Sequence, residues 1–404
     1  MLRLLALAAQ AGVILLAAYN GITALWGWRN RTPAPPGARS RRFRVVVPAH
    51  NEEAVVGGLL ADLAGLDYPD SLMSTWVIAD RCHDDSARVA ESHGAQIAER
   101  TEGPPGKGPA LAWYLRLHPV DDEETLVVLD ADNRVPPDLL SRLADELDQG
   151  HQALQCYLDV TNPDDSPLAE ASALSYWASN RMVQLARSNL GWSADLGGTG
   201  MALTSAALAS AGGFDDSLTE DQDLTARLVL AGHRVEWLHD VRVSDQKPTS
   251  LGVAIRQRAR WMAGKRATRR SHLGALLGHG TPASMDLAVR LAQPGRSFVA
   301  LISGLLTVLA LVSGSAWLLP WPVWAGATAV QVLEPIPFLA RDGVEPKHLL
   351  RYPLLVLLAG MWVPVRFLSA RVAGWYHTPH EAVTESGAGP ETSRTRPRDR
   401  KPGA

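Results

Sequence analysis

The sequence predicts an α/β protein whose mostly parallel, doubly wound sheet is flanked by transmembrane helices. Three observations predict this class. Apolar runs alternate with helical patterns between residues 43 and 147, as in a parallel sheet whose strands are joined by helices. Residues 4–28 contain no charge, and about 20 apolar residues are enough to cross a bilayer. Residues 297–333 are also uncharged, so apolar segments lie on both sides of the sheet-forming region.

Composition sets broad limits on the class of protein. The 404 residues leave room for roughly two to three domains, and the hydrophobic content of 46% suits a globular core together with membrane segments. The formal charge of -3 is small and does not indicate nucleic acid as a partner. Two cysteines, Cys82 and Cys156, are too few for a disulfide framework, and Cys82-His83 lacks the paired spacing of a zinc site. We expect both thiols to be reduced.

The first expected element is an N-terminal transmembrane helix within residues 1–30. No cleavage site of small residues is evident after it, so we expect an anchor and not a removed signal peptide. Residues 31–42 are rich in proline and arginine and are expected to form a linker. By the positive-inside rule, the arginines after the apolar segment place the next domain in the cytoplasm. These are Arg29, Arg31, Arg39, Arg41, Arg42 and Arg44.

Strands and helices then alternate in order. Each predicted strand is a short apolar run, and each predicted helix has apolar residues at helical spacing. The strands are expected at residues 43–47, 76–79, 96–99, 126–129 and 152–158. The helices are expected to run to about residue 64, from residue 84, and over residues 106–117, 136–147, 166–188 and 219–231. A glycine-rich loop at residues 197–201 lets the backbone approach a ligand closely.

The last third of the chain indicates contact with a membrane. Residues 247–296 mix basic and apolar side chains, which predicts amphipathic helices at the membrane surface. Residues 297–372 form the expected C-terminal transmembrane region, with one or two crossings around a break near Pro320. Its last apolar block ends at Arg366 and is either a short span or an interfacial helix. Residues 373–404 are polar and expected to be disordered, and their basic residues indicate a cytoplasmic C-terminus.

A pair of carboxylates follows the most apolar of the predicted strands. Residues 126–129 run directly into Asp130-Ala131-Asp132, and ligands of open α/β sheets collect at the carboxyl ends of strands. Alternation along an extended chain puts Asp130 and Asp132 on one side. Nearby carboxylates raise each other's pKa unless a cation neutralises them, and Mg²⁺ binds one or two carboxylates together with phosphate oxygens. The alternative is a polar turn that closes a core strand.

Several separated motifs together resemble the membrane-bound glycosyltransferases of family 2, a group that includes cellulose, chitin, hyaluronan and poly-N-acetylglucosamine synthases. The resemblance covers about residues 43–265. Each motif alone has low specificity, but their order between membrane segments is specific. The motifs are Pro48-Ala49-His50-Asn51-Glu52, Asp80, Lys107, Asp130-Ala131-Asp132, Thr219-Glu220-Asp221 and Gln257-Arg258-Ala259-Arg260-Trp261. The resemblance implies a GT-A fold over residues 43–246, a UDP-sugar donor, a divalent cation (Mg²⁺ or Mn²⁺) and inversion at the anomeric carbon.

The resemblance also implies roles in donor binding. His50 and Glu52 would contact the base and ribose, Asp80 the uracil, Lys107 the anionic donor, Asp130 the nucleotide, and Asp132 the metal. Each has a structural alternative in its local sequence: Asn51-Glu52 as a cap and first-turn acid, Asp80 as another cap, and Lys107 as a solvated loop lysine. Residues 81–85 depart from the Asp-Gly-Ser form that is common in the family.

Asp221, with Glu220 beside it, is the candidate catalytic carboxylate. Inverting transfer needs one carboxylate to accept the proton of the acceptor hydroxyl, and the motif order assigns this role to Asp221. Thr219 and Gln222 also fit a capping box. A third group of residues is expected to bind the donor from one helical face, because their spacing is i, i+3 and i+4. These are Gln257, Arg260 for the diphosphate, and Trp261 for a sugar ring or, alternatively, for the membrane interface.

The expected function is that of an integral plasma membrane glycosyltransferase with a cytoplasmic catalytic domain. A growing β-linked polysaccharide is the preferred acceptor, and a membrane lipid, as in ceramide glucosyltransferases, is the alternative. A non-enzymatic membrane protein is disfavoured because all three candidate carboxylates are present. A soluble dehydrogenase is disfavoured because no Gly-x-Gly-x-x-Gly follows the first strand. Trp375-Tyr376-His377-Thr378 also faintly resembles a Trp-x-x-Thr segment that closes over the donor in the family.

Overall fold

The computed structural model describes residues 1–372 of the chain. The Trp375–Thr378 segment and the predicted disordered tail lie outside the described residues. Within them, one mixed sheet has the order β3-β2-β1-β4-β6-β5-β7. Its strands are β1 (Arg42–Ala49), β2 (Met73–Asp80), β3 (Gln96–Arg100), β4 (Glu124–Val128), β5 (Ala153–Val160), β6 (Met201–Thr204) and β7 (Val235–Asp245).

The sheet is mostly parallel, as predicted. Strands β3, β2, β1 and β4 pair in parallel, as do β5 and β7, whereas β6 is antiparallel to both of its neighbours. Successive residues of β1 enter opposite cores: Val46 packs in the core on one face, and Val45 and Val47 pack in the core on the other. Such alternation follows from the pleat of a strand and confirms a sheet covered by helices on both sides.

The helices of the described region continue beyond the sheet. Those of the sheet domain are α2 (Val56–Ala64), α3 (Ser86–Ser92), α4 (Lys107–Leu117), α5 (Leu139–Asp148), α6 (Pro167–Ser179), α7 (Ala186–Asn189), α8 (Ser205–Ser210) and α9 (Glu220–Leu230). The others are α1 (Leu2–Ala24), α10 (Leu251–His279), α11 (Pro282–Ala292), α12 (Arg296–Ser313), α13 (Trp321–Leu333), α14 (Pro335–Arg341), α15 (Pro346–Leu350) and α16 (Leu355–Leu368). The long helix predicted at residues 166–188 is α6 and α7 joined by a π-helical stretch, Asn180–Leu185.

The predicted linker is held along the outer side of α5. Arg31 donates to Glu146 at 3.0 Å, and Arg41 donates to Asp148 at 2.6 Å. Two of the arginines that follow the first apolar helix therefore bind carboxylates of the sheet domain. This arrangement fixes the path of the chain between α1 and β1.

Three described helices are long and apolar enough to cross a membrane: Leu2–Trp28, Arg296–Ser313 and Trp321–Arg341. The uncharged segment after residue 296 therefore forms two candidate spans, separated near Pro320. The three helices contact one another through Ala17, Val299 and Ala327, all of which are buried. Small residues at such a contact let helices pack closely.

The last apolar helix, α16, is shorter than a full span. Its 14 residues extend about 21 Å, against a hydrocarbon core of about 30 Å. Leu358 and Met361 pack with Leu168 of α6 and Ala254 of α10. The length of α16 fits both alternatives for the block, a short span and an interfacial helix.

Candidate active site

The centre of the candidate site is a contact between Lys107 and Asp130. Lys107 begins α4, and its ammonium contacts the Asp130 carboxylate and donates to the carbonyl of Gly198 at 2.7 Å. The contact joins the start of α4, the turn after β4 and the glycine loop before β6. The Lys107 side chain is 16% exposed, so the alternative of a solvated loop lysine is wrong.

Glu220 and Asp221 begin α9 beside this contact. Glu220 is buried, and Asp221 is half-buried. Two glycines let the neighbouring backbone come close. A Cβ on Gly198 would lie 3.5 Å from Asp221 Oδ2, and a Cβ on Gly108 would lie 3.0 Å from the Glu220 Cβ and 2.4 Å from a backbone oxygen. The glycine loop therefore lies directly against the candidate catalytic carboxylate, and its close approach to a ligand stays a prediction.

The pKa of Asp221 is raised to about 7. Burial is the main cause, and the adjacent Glu220 carboxylate adds to it, whereas Lys107 and Arg260 oppose the shift. Burial also raises the pKa of Glu220 against the same two cations. A carboxyl that titrates near neutral pH is suited to accept and release a proton.

Helix α10 brings the third predicted motif to the start of α9. Gln257, Arg260 and Trp261 all lie on this helix, and Arg260 donates to the carbonyl of Leu218 at 2.9 Å. The helix approaches closely because it has a glycine at position 264. A Cβ on Gly264 would lie 2.3 Å from a side-chain oxygen of α9's capping residue.

The capping box predicted at the start of α9 is wrong. The side chain of Thr219 makes no capping hydrogen bond, although this residue occupies the N-cap position. Its hydroxyl is buried without a partner among the described residues because it packs against Gly264 of α10. Tertiary packing has replaced the local hydrogen bond that the sequence pattern favours.

Asp130 and Asp132 are placed by a turn and not by strand alternation. Strand β4 ends at Val128, and the amide of Asn133 donates to the carbonyl of Asp130 at 3.1 Å. The side chains of Asn133 and Thr199 accept from the amide of Asp130. The argument from alternation was therefore wrong, although both carboxylates lie at the carboxyl end of β4 as expected.

A second acidic residue, Asp245, lies near this turn at the end of β7. Burial raises the pKa of Asp245 to about 6, and the charges of Asp132 and Asp130 contribute. The ammonium of Lys247 opposes this shift through an ion pair of 2.6 Å and lies 3.5 Å from the ring centre of Tyr176. Sequence reasoning missed Asp245 and Lys247 because it did not predict β7.

The predicted base-binding residues lie at the ends of β1 and β2. His50 Nδ1 donates to the carbonyl of Asp80 at 2.6 Å. The Asp80 carboxylate forms ion pairs with Arg100 at 2.8 Å and with Arg81 at 2.7 Å. A direct contact of Asp80 with uracil, which stays a prediction, would have to compete with two guanidinium groups. The cap alternative for Asp80 is wrong, because this residue ends a strand.

The loops that follow β1 and β2 each contain an unusual backbone conformation. Asn51 and Arg81 have φ of 56° and 52°, in the left-handed region, which non-glycine residues rarely adopt. The Asn51 side chain accepts from the amide of His83 at 2.8 Å, which links the two loops. Glu52 is buried and does not begin a helix, since α2 starts at Val56. The first-turn alternative for Glu52 is therefore wrong.

Comparison with known proteins decides the family. Residues 40–264 match the model of a family described as "Glycosyltransferase like family 2", which is more than half of the chain. The chain is a family 2 glycosyltransferase. Its α/β sheet domain has the GT-A fold. A mannosyltransferase from Pyrobaculum calidifontis, solved with GDP-Man and Mn²⁺, has a similar structure, with a TM-score of 0.60 and 21% identity over 92% of this chain and 99% of that one.

Curated relatives of this glycosyltransferase differ in their acceptors. A beta-monoglucosyldiacylglycerol synthase from Trichormus variabilis is 28% identical over 236 residues, which cover 54% of this chain and 48% of that protein. A probable glucomannan 4-beta-mannosyltransferase from Arabidopsis thaliana is 26% identical over 234 residues, which cover 54% of this chain and 42% of that protein. The chain thus spans about half the length of the curated relatives it matches.

The metal ligands that this glycosyltransferase offers fit a divalent cation that is held partly by the substrate. Among residues 1–372, no group of three or more histidines, cysteines or acids is arranged to hold a metal alone. Asp132 and Asp130 are close enough to Asp245 to raise its pKa, so negative charge is concentrated at this edge. Mg²⁺ is commonly bound by one or two carboxylates together with the phosphates of its substrate, which matches this arrangement.

Proposed function

We propose that this glycosyltransferase moves a sugar from a UDP-sugar to a hydroxyl of a membrane lipid, with inversion at the anomeric carbon. The observation that carries the proposal is the position of Asp221. Its carboxyl, with a pKa raised to about 7, lies against the glycine loop and near the Lys107–Asp130 contact. The reaction requires a general base whose pKa lies near neutral pH, together with a lysine that binds the anionic donor in the same site.

The residues of the chain supply each part of the transfer. The acceptor hydroxyl gives its proton to Asp221 while its oxygen forms a bond to the anomeric carbon. The bond from that carbon to the diphosphate breaks, and its electron pair stays on the diphosphate. Lys107 and Arg260 bind the negative charge that develops there. Asp132, with Asp130, would hold a divalent cation, which supplies Lewis-acid stabilisation of the same charge.

The membrane region favours a lipid over a polysaccharide as the acceptor. Helices α1, α12 and α13 pack directly on one another through the buried residues Ala17, Val299 and Ala327. This packing suits an acceptor that enters from the bilayer better than a polymer that passes between the helices. The similarity to the beta-monoglucosyldiacylglycerol synthases supports this order. This reverses the preference of the sequence analysis, in which a lipid was the alternative.

A growing β-linked polysaccharide is the second candidate acceptor. It is supported by Gln257, Arg260 and Trp261 on α10, a motif that resembles the one of processive synthases, and by the similarity to the glucomannan mannosyltransferase. In both cases we propose that the catalytic domain faces the cytoplasm at the plasma membrane, where UDP-sugars are available.

The experiment uses membranes that contain the full chain or its Asp221→Asn variant. Radiolabelled UDP-glucose and UDP-N-acetylglucosamine are supplied in turn with Mg²⁺ or Mn²⁺, and with EDTA as the control. We expect metal-dependent label in the organic phase that falls by at least about 100-fold in Asp221→Asn. Label in a large water-soluble product would support the polysaccharide instead. Full activity of Asp221→Asn would refute the assigned base.

A further inference from the structure

An apolar groove runs along the first candidate membrane span. Its volume is about 580 Å³, and it is lined by α1 residues between Ala9 and Tyr19 and by Val289 of α11. The lining is almost entirely apolar, and Gly12 leaves open space where a side chain would otherwise stand. Because α1 is a candidate membrane span, the groove faces the hydrocarbon chains of the bilayer.

The groove ends at a cluster of polar residues. The hydroxyl of Tyr19 contacts the Asp286 carboxylate. The next residue, Asn20, donates to the side chain of Gln293 at 3.1 Å, and the carbonyl of Gln293 accepts from the ammonium of Lys265 at 3.2 Å. A short chain of contacts therefore links the apolar groove on α1 to Lys265 on α10.

Lys265 is a desolvated cation that lacks a carboxylate partner. Within residues 1–372, the one acceptor within hydrogen-bond distance of its ammonium is the neutral carbonyl of Gln293. Burial lowers the pKa of Lys265 to about 8; Arg290 and Arg269 add to this effect, and Asp195 opposes it. A lysine ammonium has three donors, so most of its hydrogen-bonding capacity remains for a ligand.

The surroundings of Lys265 carry net positive charge. Arg290 forms ion pairs with Asp195 and Asp286, and Arg187 lies 3.4 Å from Asp286. These two arginines balance the two carboxylates, which leaves Lys265 and the nearby Arg269 uncompensated. A positively charged, partly buried site of this kind favours an anion.

This site lies close to the reaction centre. Lys265 follows Trp261 by four residues on α10, so the two side chains share a helical face. Asp195, which interacts electrostatically with Lys265, is three residues before Gly198, and three residues span at most about 10 Å. Gly198 in turn adjoins Asp221.

We propose that Lys265 and the groove on α1 form a binding site for one anionic phospholipid of the cytoplasmic leaflet. The phosphate binds the Lys265 ammonium, and an acyl chain lies in the groove. A zwitterionic headgroup suits the site less well, because the uncompensated Arg269 repels its cationic part. The proposal goes beyond the proposed function, since it does not require the bound lipid to be the acceptor.

Binding of lipid to the full chain in detergent micelles tests the headgroup contact. Radiolabelled phosphatidylglycerol and phosphatidylcholine are titrated separately onto wild type, Lys265→Gln, Lys265→Arg and Arg270→Gln. Arg270, exposed on the same helix, is the matched control. We expect wild type to prefer phosphatidylglycerol, Lys265→Gln to lose about tenfold in affinity for it, and the other two variants to keep it. Equal binding of both lipids, or unchanged binding by Lys265→Gln, would overturn the proposal.

A second pair of variants tests the groove. Gly12→Leu fills it without a steric conflict, since nothing lies within 4 Å of an added Cβ, and Ala18→Leu adds a similar side chain at an exposed position of the same helix. We expect Gly12→Leu to weaken phosphatidylglycerol binding at least threefold and Ala18→Leu to leave it unchanged. Equal effects of the two variants would contradict an acyl chain in the groove. Because the readout is binding, loss of transferase activity does not decide the result.

Discussion

At the scale of single residues, the pKa of Asp221 predicts how the reaction depends on pH. A general base must be deprotonated, so kcat/KM is expected to rise about tenfold per pH unit and to level off above about pH 7. The charge of Glu220 contributes to this pKa. Glu220→Gln is therefore expected to move the midpoint to lower pH. Initial rates between pH 5 and pH 9 measure both midpoints, and an unmoved midpoint in the variant would show that the coupling is absent.

The raised pKa of Asp221 also predicts how the free energy of unfolding depends on pH. The pKa of folded Asp221 lies above that of an unfolded aspartate, so the folded state binds more protons and loses stability as pH rises between the two values. Asp221→Asn removes this loss. Thermal unfolding in detergent should show a higher Tm for the variant at pH 8 and a smaller gain at pH 5. Asp216→Asn, an exposed change in the preceding loop, is expected to leave Tm unchanged at both.

The sequence analysis assigned Lys107, Asp130 and Asp221 to one candidate site, and the structure places these three side chains close to one another. Local signals mark two of them, because Lys107 follows a glycine and Asp130 follows an apolar run, whereas Asp221 was assigned from the order of the motifs. Asp245 and Lys247 were not predicted, because their position depends on the pairing of β7 with β5. The signal that could have identified Asp245 is a buried strand that runs into an acidic residue. Strand β4 shows the same signal before Asp130.

At the scale of elements, the glycine at position 264 sets the distance between α10 and α9. A methyl group on Gly264 would lie 2.3–2.8 Å from three atoms of the buried Thr219 side chain, so the Gly264→Ala variant must displace α10 and with it Arg260. We expect its kcat/KM to fall between about 10- and 100-fold, with a lower Tm.

Gly274→Ala is the control for this substitution. Gly274 lies on the same helix and has nothing within 4 Å of an added Cβ. An interior helical alanine is favoured over glycine by about 1 kcal/mol, so this variant should keep its activity and gain stability. If Gly264→Ala and Gly274→Ala changed kcat/KM and Tm to the same extent, the close packing of α10 on α9 would not be what positions residues 257–261.

Strands β1, β2 and β4 were predictable because each contains a short apolar run, whereas β7 was not predicted. Its pairing with β5 shifts between Cys156 and Tyr157, which face Leu238 and Arg242. Three residues of β7 therefore bulge out, and the regular alternation that identifies a strand is lost. The bulge contains His239, which binds Asp342 at 2.7 Å.

At the scale of the whole molecule, Asp342 connects the membrane region to the sheet. It follows α14 and accepts hydrogen bonds from Tyr157, Arg181 and His239 at 2.7–2.8 Å. Burial alone would raise its pKa, but these groups lower it to about 2. Asp342→Ala leaves a buried arginine unpaired and is expected to cost about 3–5 kcal/mol. Asp164→Ala, which breaks an exposed pair with Lys347, should leave thermal unfolding in detergent unchanged.

The same connection predicts the membrane topology. The end of α1 contacts the sheet domain, as does α14, which follows α13. Arg3, in contrast, contacts the carbonyl of Ala316 in the turn between α12 and α13. We therefore expect this turn and Arg3 to lie on the other side of the membrane. With Cys82 and Cys156 replaced, an impermeant maleimide should label Ala316→Cys on intact cells. It should label Ser40→Cys only after permeabilisation, and the opposite result would invert the topology.

The chain between α1 and β1 is bound along α5, so we expect the candidate catalytic carboxylate to stay at a constant height above the bilayer. If the acceptor is the proposed membrane lipid, an enzyme fixed in this way searches for it in two dimensions. Its rate should then follow the mole fraction of acceptor in the surface and not the amount per volume of solution. Adding inert lipid would slow the reaction by surface dilution, even though neither enzyme nor acceptor had changed in total amount.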